Sequence, residues 1–226
     1  MEKLTLKALT QLLVNLGEQL NPYVVEHHRR SAVAAYYIGR ELKLSAKDLR
    51  DVVIATSLHD IGVLSAEELD MVMSEDDSRS ERHCTIGYEL FSLFKPFTDI
   101  AQIVRYHHTH YFEGEHLDDF NKGSYIVHLA HRIDSHIAPN MFILTQSDRI
   151  VDRIEQSVGS VFDPDTYDAF VEVSNHKDFW TDMMELSLVD LFERIDFSEN
   201  EEVDFETLKG FIETLKKLVD DRRNNA

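Results

Sequence analysis

The amino-acid sequence predicts an all-α protein, and three of its features support that fold class. Glycine and proline, which interrupt helices, number only 8 and 4 among 226 residues. Apolar side chains recur at spacings of three and four residues almost throughout, as they do along the buried face of a helix. Segments that alternate apolar and polar residues, the pattern of a half-buried strand, are missing. With 43% apolar residues, the chain can bury a sizeable core.

The first three helices are predicted from apolar spacing and from residues that favour helix ends. Residues 3–20 have one apolar face, formed by leucines three and four positions apart. Asn21-Pro22 is typical of a helix start and is expected to begin the second helix. Ser45 and Asp48 resemble a capping box that begins the third helix, which is expected to end near Ile61-Gly62.

Further helices are predicted along the rest of the chain. Ser65 and Glu68 are expected to cap a short helix, and residues 74–80 are rich in charged residues and serine, which indicates a loop. Asp163 precedes Pro164 and is expected to cap the start of another helix. The remaining helices are predicted at residues 85–94, 97–110, 124–137, 179–194 and 203–219, and residues 111–123 are expected to be irregular.

The composition argues against several classes of protein. A formal net charge of −19 argues against binding to nucleic-acid polymers, which depends on lysine and arginine contacts to phosphates. No apolar run reaches the roughly 18 to 20 residues that cross a bilayer, and the first residues lack the apolar block of a secretory signal. Cys84 is the only cysteine, so an intrachain disulfide cannot form. We therefore expect a cytoplasmic protein that binds neither nucleic-acid polymers nor membranes.

Histidines are frequent, and several are placed for metal binding. The sequence has 12 of them, and His59 is followed directly by Asp60 at the end of an apolar helix. His27 lies 32 residues upstream, so two antiparallel helices can bring it beside His59. Imidazole and carboxylate groups bind transition-metal ions, and each ion needs several such ligands. The residues that the sequence offers for a site with two ions are His27, His59, Asp60, His83, His107 and His108.

The order and spacing of six segments resemble a known family. They are HHRRSAVAAYYIGRELKLS at 27–45, ATSLHDIG at 55–62, RHCTIGYELF at 82–91, IVRYHH at 103–108, SYIVHLAHRIDSHI at 124–137 and VFDPDTYDAF at 161–170. Over about residues 20–175 the chain is similar to the HD superfamily of metal-dependent phosphohydrolases. It looks most like the HD-GYP branch, whose members hydrolyse cyclic di-GMP. The resemblance implies an HD-domain helical bundle, to which this chain adds N- and C-terminal helices.

The resemblance also implies which residues bind metal and take part in catalysis. The family's last aspartate falls on His131, whose imidazole can also bind a metal, and Asp134 one helical turn later is the alternative. Members that bind three metals carry a glutamate at the position of Tyr23, so two divalent ions are expected here. Iron or manganese is favoured and zinc is possible. Asp60, bridging the ions, and His59 are the implied catalytic residues. The implied metal ligands are His27, His59, Asp60, His83, His107, His108 and His131.

The chain departs from the family pattern where substrate phosphate is bound. Val63 replaces the family's lysine, and Thr109 replaces the glutamate that follows the paired histidines. The loop that names the HD-GYP branch is absent, because residues 111–123 are shorter and unrelated in sequence. Residues 136–145 lack the basic side chains that follow the last aspartate in the family. Four arginines beside the ligand positions are the candidates for binding phosphate oxygens: Arg29, Arg30, Arg82 and Arg105.

The acidic side chains are concentrated towards the C-terminus. Residues 163–226 hold 18 acidic and 7 basic side chains, and this acidic part is a candidate surface for a homodimer or a partner module. The expected parts of the chain are an N-terminal helix at 1–22, an HD-GYP-like metal-binding domain at 23–175 and an acidic helical extension at 176–226.

Two functions from different classes fit the sequence. The first is a metal-dependent phosphodiesterase acting on cyclic di-GMP or a related nucleotide, since two metal ions polarise phosphoryl oxygens and lower the pKa of a bridging water. The second is a catalytically degenerate signalling or redox-sensing module that keeps the fold and the metals but acts through protein partners. A nucleotide monophosphatase of the wider superfamily differs from the first only in the shape of its pocket.

Overall fold

A computed structural model describes residues 4–20, 25–63, 81–197, 202, 203 and 205–225 of the chain. The helix start predicted at Asn21-Pro22, the short helix capped by Ser65 and the loop at 74–80 lie outside the described residues. Within the described residues the protein is all-α, as predicted, apart from two strands of two residues each. These strands, β1 (Leu4–Thr5) and β2 (Glu202–Val203), pair antiparallel.

The helices follow one another with short connections. Their bounds are α1 Leu6–Leu20, α2 Val25–Glu41, α3 Ala46–Leu58, α4 Glu81–Ser92, α5 Thr98–Arg105, α6 Tyr111–Gly114, α7 Gly123–Ser135, α8 Ser147–Glu155, α9 Pro164–Ser174, α10 Lys177–Glu185, α11 Leu188–Glu193 and α12 Phe205–Asn225. Short 3-10 segments at Lys95–Phe97 and Ile143–Thr145 precede α5 and α8. Among the described residues, no helix combines the length and the apolar character needed to span a lipid bilayer.

The central helix of the molecule is α2, which packs against α3, α7, α9 and α10. Its sequence allows this position, because Ala32, Ala34 and Ala35 are fully buried and let neighbouring helices approach closely. The helix carries His27 near its start, and α3 leads into His59. The packing of α2 on α3 therefore places two parts of the predicted metal site side by side.

The third helix begins where the sequence predicts but ends earlier. Ser45 Oγ accepts a hydrogen bond from the Asp48 N–H at 3.1 Å, so the predicted helix start is confirmed. The helix ends at Leu58, before the predicted end near Ile61-Gly62. Residues 59–62 form a turn that carries the His-Asp pair.

This turn packs directly on the first turn of α4, and Gly62 makes the contact possible. A β-carbon at Gly62 would lie only 2.2 Å from the main-chain oxygen of His83. The fourth helix begins at Glu81, earlier than the predicted start at Thr85, so His83 lies in its first turn. Gly87 allows a similarly close approach of α4 to α5, because a β-carbon there would lie 2.7 Å from a valine side chain of α5.

The helix predicted at 97–110 is shorter than expected. It ends at Arg105, because the chain forms a turn over residues 106–108. His107 and His108 therefore lie in that turn and not within a helix. The following residues, expected to be irregular, contain the single helical turn of α6.

Two differences occur in the C-terminal half. The predicted helix at 179–194 is in fact two helices, because the Ser187 side chain accepts the Asp190 N–H and begins α11. The eighth helix lies where the sequence predicts none. Only Ile150 and Ile154 of α8 are buried, so its apolar pattern is too short to stand out.

The helices α10 and α11 pack on α2 and extend the same core. Trp180 and Met183 are buried there. Arg29 of α2 donates to three main-chain carbonyl oxygens at the end of α10, at 2.9 to 3.1 Å. These oxygens belong to Met183, Met184 and Leu186. The beginning of the acidic extension is thus fixed to the central helix.

Candidate metal centre

The helices bring the predicted ligands into one buried region. The residues come from α2, the turn after α3, the start of α4, the turn after α5, and α7. Among the described residues they form two groups, in each of which the ligand atoms all lie within 4.8 Å of one another. Group 1 consists of His27, His59, Asp60 and His131, and group 2 of His83, Cys84, His107 and His108.

In group 1 three imidazole nitrogens face one another. His27 Nε2 lies 3.3 Å from His59 Nε2 and 3.1 Å from His131 Nδ1, and these last two nitrogens are 3.2 Å apart. Asp60 Oδ2 lies 3.1 Å from His59 Nε2. Two nitrogens that each bind one metal at about 2.0–2.1 Å are separated by roughly 3 Å, so the spacing suits a single ion.

Group 2 has similar spacing and adds a sulfur atom. His83 Nε2 and His107 Nε2 lie 3.2 Å apart. Cys84 Sγ lies 3.6 Å from His83 Nε2 and 3.6 Å from His107 Nδ1. The His108 ring packs on the other two imidazoles, with its centroid 4.3 Å from that of His107.

Asp60 lies between the two groups and presents one carboxylate oxygen to each. While Oδ2 faces group 1, Oδ1 is 3.4 Å from His83 Nε2 and 3.7 Å from His107 Nε2. The residue is buried, and Oδ1 makes no hydrogen bond within the described part of the chain. Buried polar atoms without hydrogen bonds are costly, and a cation compensates a buried carboxylate. The residues therefore fit a divalent metal on each side of Asp60.

Main-chain acceptors orient two of the histidines. His59 Nδ1 lies 2.8 Å from the carbonyl oxygen of Thr56, and His107 Nδ1 lies 2.6 Å from that of Val104. In a neutral imidazole, a proton on Nδ1 that is donated to a carbonyl leaves Nε2 unprotonated and available to a metal. The turns after α3 and α5 thus aim the ligand nitrogens through local hydrogen bonds.

Asp134 lies behind His27, on the side away from group 1. Its Oδ2 accepts a hydrogen bond from His27 Nδ1 at 2.6 Å, and both of its oxygens are bound by Arg30. Burial opposes ionisation of Asp134, yet the hydrogen bonds from His27 and Arg30 hold its pKa below the usual value. Of the two residues that the sequence left open, His131 lies in group 1, whereas Asp134 lies outside both groups and contacts His27.

The protonation states suit metal binding. Burial lowers the pKa of His83 to about 3 and also lowers that of His131, so both imidazoles are neutral at neutral pH. Burial opposes ionisation of Asp60, but the attraction of His59 and hydrogen bonds from neighbouring histidines hold its pKa well below the usual value. Neutral imidazoles and an ionised carboxylate are the forms that bind divalent ions. His59 differs from His83 and His131: burial lowers its pKa, but the attraction of Asp60 outweighs burial and raises it, so a bound metal has to displace a proton from this imidazole.

His28 also contacts the centre, although no motif singles it out. Its Nε2 lies 3.4 Å from Asp60 Oδ2, and its side chain is 15% exposed. Burial lowers its pKa to about 4. The signal in the sequence is the doublet that His28 forms with His27.

The four arginines predicted to contact phosphate lie in different surroundings. Arg29 is hydrogen-bonded to the end of α10, and Arg30 is paired with the carboxylate that orients His27, so both are engaged within the fold. Arg82 is exposed on α4. Arg105 is exposed at the end of α5 and borders a cleft.

The cleft begins at group 2 and encloses about 1190 Å³. Cys84 and His108 line it, together with residues of α5, α7 and α8. Three of its basic residues are not predicted from the sequence: Arg132, Arg149 and Arg153. Arg132 directly follows His131. Arg149 and Arg153 lie on α8, a helix that the sequence does not predict.

A sequence profile of the HD domain matches residues 11–126, which is about half of the chain. The matched range contains His27, the His59-Asp60 pair and all of group 2. The chain belongs to the HD-domain family. His131 and the arginines of α7 and α8 lie beyond the matched part of the HD domain, so their placement rests on the geometry described above.

Two relatives of this HD-domain protein come from Vibrio cholerae. One is named 3′3′-cGAMP-specific phosphodiesterase 1, and it is 26% identical over 114 residues, which are 49% of this chain and 26% of the relative. The other is the crystal structure of a cyclic GMP-AMP specific phosphodiesterase, with a TM-score of 0.69 and 18% identity. That match covers 98% of this chain and 61% of the other, and it shows a shared fold. The chain thus spans about a quarter of the first relative's length and less than two thirds of the second's.

Proposed function

We propose that this protein is a metal-dependent phosphodiesterase of the HD-GYP type that hydrolyses a cyclic dinucleotide at a centre of two divalent ions. The observation that carries the proposal is the position of Asp60, whose two oxygens face two separate groups of histidines. A single carboxylate between two such groups is the arrangement that a bridged pair of metal ions needs.

Group 1 would hold one ion and group 2 the other. Iron or manganese is the first expectation and zinc is the alternative, since imidazole and carboxylate ligands bind all three. When bound, a pair of divalent ions polarises phosphoryl oxygens and lowers the pKa of a bound water. The chain itself keeps Asp60 ionised and keeps the ligand nitrogens of His27, His59 and His107 turned towards the centre.

Substrate phosphate must be bound differently from the family pattern. Val63, at the position of the family's lysine, is apolar and only 3% exposed. Thr109 stands where the family has a glutamate. Cationic groups for the substrate therefore have to come from another part of the site, and the cleft beside group 2 offers them.

The relatives and the sequence resemblance indicate which substrates to test first. Both Vibrio cholerae proteins are named for cyclic GMP-AMP, whereas the HD-GYP resemblance implies cyclic di-GMP. The two molecules share a ring in which two phosphodiesters join two nucleotides, so one centre can attack either. We therefore propose the cyclic dinucleotides as the substrate class.

Hydrolysis by metal-loaded protein is the direct test. Protein loaded with Fe²⁺ or Mn²⁺ is incubated with 3′3′-cyclic GMP-AMP, cyclic di-GMP and nucleoside monophosphates, and products are separated by chromatography. We expect a cyclic dinucleotide to be linearised by the wild-type protein and by His116→Ala, which removes an exposed histidine outside both groups. Asp60→Asn and His59→Ala should lose the activity. The proposal is wrong if metal-loaded protein cleaves no cyclic dinucleotide. Release of phosphate from nucleoside monophosphates alone would indicate that the protein is instead a nucleotide monophosphatase of the wider superfamily.

A catalytically inactive metal-binding module is the second candidate. The replacement of the family's lysine by Val63 favours it, and so does the presence of the Cys84 thiol within group 2, because a thiol beside a metal or a base ionises and reacts more easily. This alternative predicts protein that binds about two metal ions per chain but turns over none of the nucleotides. Metal analysis beside the nucleotide panel separates the two candidates.

A further inference from the structure

The cleft beside group 2 has the features of a binding site for a phosphorylated ligand. It encloses about 1190 Å³ and begins at Cys84 and His108. Pockets for small molecules typically have volumes of about 300–1000 Å³, so the cleft has room for a dinucleotide and bound water. A ligand in the cleft would reach the metal centre at one end.

Positive charge is concentrated in this cleft, although the whole chain has a formal net charge of −19. Guanidinium groups suit phosphate because their N–H donors can bind two of its oxygens at once. The cleft is lined by Arg105, Arg132, Arg149 and Arg153, against the acidic residues Glu113 and Asp152.

Two of these arginines contact neutral groups. Arg149 donates to the His136 carbonyl oxygen at 3.4 Å and to Gln146 Oε1 at 3.1 Å. The guanidinium carbon of Arg105 lies 4.7 Å from the centre of the Tyr88 ring. These contacts position the side chains without neutralising their charge.

We propose that Arg105, Arg149 and Arg153 bind the phosphate of the dinucleotide that is not held at the metal centre. Arg149 and Arg153 are exposed and lie one turn apart on the same face of α8, so both can act on one ligand. Tyr106, which also lines the cleft, offers an aromatic ring on which a base can stack. This inference rests on the proposed function. It assigns to arginines of α5 and α8 the phosphate binding that the family's lysine, replaced here by Val63, would supply.

The test separates binding from hydrolysis. Dissociation constants are measured by calorimetry on metal-loaded protein with a hydrolysis-resistant phosphorothioate analogue of 3′3′-cyclic GMP-AMP. We expect Arg149→Gln and Arg153→Gln each to weaken binding about tenfold, which is typical for the loss of a hydrogen bond between charged groups. With the natural dinucleotide, KM should rise while kcat stays unchanged. Lys177→Ala removes a positive charge from an exposed position on α10 outside the cleft, and it should bind like the wild-type protein.

The outcomes distinguish this inference from the proposed function. Variants that bind the analogue as tightly as the wild-type protein would overturn the role of the cleft, even if the protein hydrolyses dinucleotides. Binding that depends on the arginines, in a protein that hydrolyses nothing, would support the cleft and contradict the proposed activity. Arg153→Lys keeps the charge and should lose less affinity than Arg153→Gln.

A second inference concerns Cys84 and rests on a different observation. Its Sγ lies 3.6 Å from His83 Nε2, and Asp60 Oδ1, which makes no hydrogen bond within the described residues, lies 3.4 Å from the same nitrogen. A sulfur at about 2.3 Å and a nitrogen at about 2.0 Å from one tetrahedral metal are separated by roughly 3.5 Å. The separation of Cys84 Sγ from His83 Nε2 therefore fits two ligands of one ion, and Cys84 lies within the same group of ligand atoms as His83, His107 and His108.

We propose that the Cys84 thiolate is a ligand of the metal ion in group 2. The thiol loses its proton to solvent when it binds, as cysteine ligands generally do. Thiolate is a softer donor than imidazole or carboxylate, so it favours zinc or cobalt over manganese in group 2. Group 1 has only nitrogen and oxygen donors and keeps the preference expected for them. The two ions can thus be of different elements.

Cobalt spectroscopy tests this ligand without measuring activity. Wild-type protein loaded with Co²⁺ should show a thiolate-to-cobalt charge-transfer band in the near ultraviolet. Cys84→Ser, which changes only the sulfur, should lack the band, and His116→Ala should keep it. On wild-type protein with zinc in both groups, X-ray absorption should find one sulfur at about 2.3 Å for every two zinc ions. Wild-type protein with neither the band nor the sulfur neighbour would overturn the inference, whatever the stability of the variant.

Discussion

Asp134 shows how the metal centre depends on a residue outside both ligand groups. Its carboxylate accepts the His27 Nδ1–H at 2.6 Å and pairs with Arg30, and this leaves His27 Nε2 turned towards group 1. Residues that orient a metal ligand in this way typically contribute about 10- to 100-fold to metal affinity.

Asp134→Asn should weaken metal binding, because a neutral amide holds the imidazole less firmly than a carboxylate does. We expect the affinity of group 1 to fall about tenfold or more, measured by competition with a chromophoric chelator. Arg30→Gln is the matched control. It leaves the hydrogen bond between His27 and Asp134 in place, so it should lower the metal affinity of group 1 less than Asp134→Asn does. An equal loss in both variants would show that the arginine, and not the carboxylate, fixes His27.

Gly62 determines how closely the His-Asp turn approaches α4. A methyl group there would lie 2.2 Å from the His83 oxygen, so Gly62→Ala must separate Asp60 from His83. We expect a loss of about 1–3 kcal/mol in the free energy of unfolding, as for other overpacked sites, together with weaker metal binding in group 2. Gly210→Ala on α12 is the matched control, because a β-carbon there meets nothing within 4 Å. Urea unfolding of the two variants checks this, and equal stability would contradict the role of Gly62.

The sequence predicts those residues of the candidate site whose order and spacing form a motif. The six predicted histidine and aspartate ligands that share the HD pattern do lie in one buried region. Cys84, Arg149 and Arg153 could not be selected, because their significance depends on which helices face one another in space. His131 and Asp134 could not be separated, since they lie one turn apart on the same helix.

At the level of helices, Arg29 connects α2 with α10, which lies far along the chain. Carbonyl groups at the end of a helix have no partner within it, and Arg29 supplies donors to three of them. This explains why Arg29, two residues after His27, is engaged within the fold.

Arg29→Ala should loosen the C-terminal helices, because three carbonyl oxygens at the end of α10 lose their donor. We expect unfolding to become easier by about 1–3 kcal/mol and amide exchange in α10 and α11 to become faster. Arg40→Ala removes another arginine of α2, whose Nη1 lies 3.4 Å from the Tyr36 hydroxyl, and it should have a smaller effect. If mass spectrometry shows the same rate of amide hydrogen exchange in α10 and α11 for both variants, the hydrogen bonds of Arg29 do not stabilise these helices.

Helix prediction succeeds where apolar spacing and a capping residue agree. Ser45 and Asp163 each accept a hydrogen bond from the N–H three residues later, and each helix begins as expected. The break at Ser187 is missed because the apolar pattern continues across it. The eighth helix is missed because two buried isoleucines form too short a pattern.

Across the whole molecule, the centre joins helices that are distant in sequence. His27 and His131, 104 residues apart, meet in group 1, and group 2 adds the start of α4 and the turn after α5. An ion bound there requires all of these segments to be folded, so it stabilises the native state and not the unfolded chain.

Removal of metal should therefore lower the melting temperature. An ion whose free concentration is 100 times its dissociation constant adds about 2.7 kcal/mol to the free energy of unfolding. For a chain of this size, that raises the melting temperature by roughly 5–10 °C. Thermal unfolding with Mn²⁺ and with a chelator measures the difference. Asp60→Asn should abolish it, and His116→Ala should retain it. Identical melting temperatures in the wild-type protein would contradict metal binding at this centre.

The single carboxylate of Asp60 also sets the electrostatic character of the loaded centre. Apart from the thiolate proposed for Cys84, the other ligands in the two groups are imidazoles. Two divalent ions would therefore bring an excess of positive charge into a chain whose formal charge is −19. The loaded site would become a local region of positive potential, which would steer the nucleotides proposed as substrates towards the arginine cleft. Rising ionic strength should slow the proposed capture, and removal of the metals should leave only the attraction of the cleft arginines.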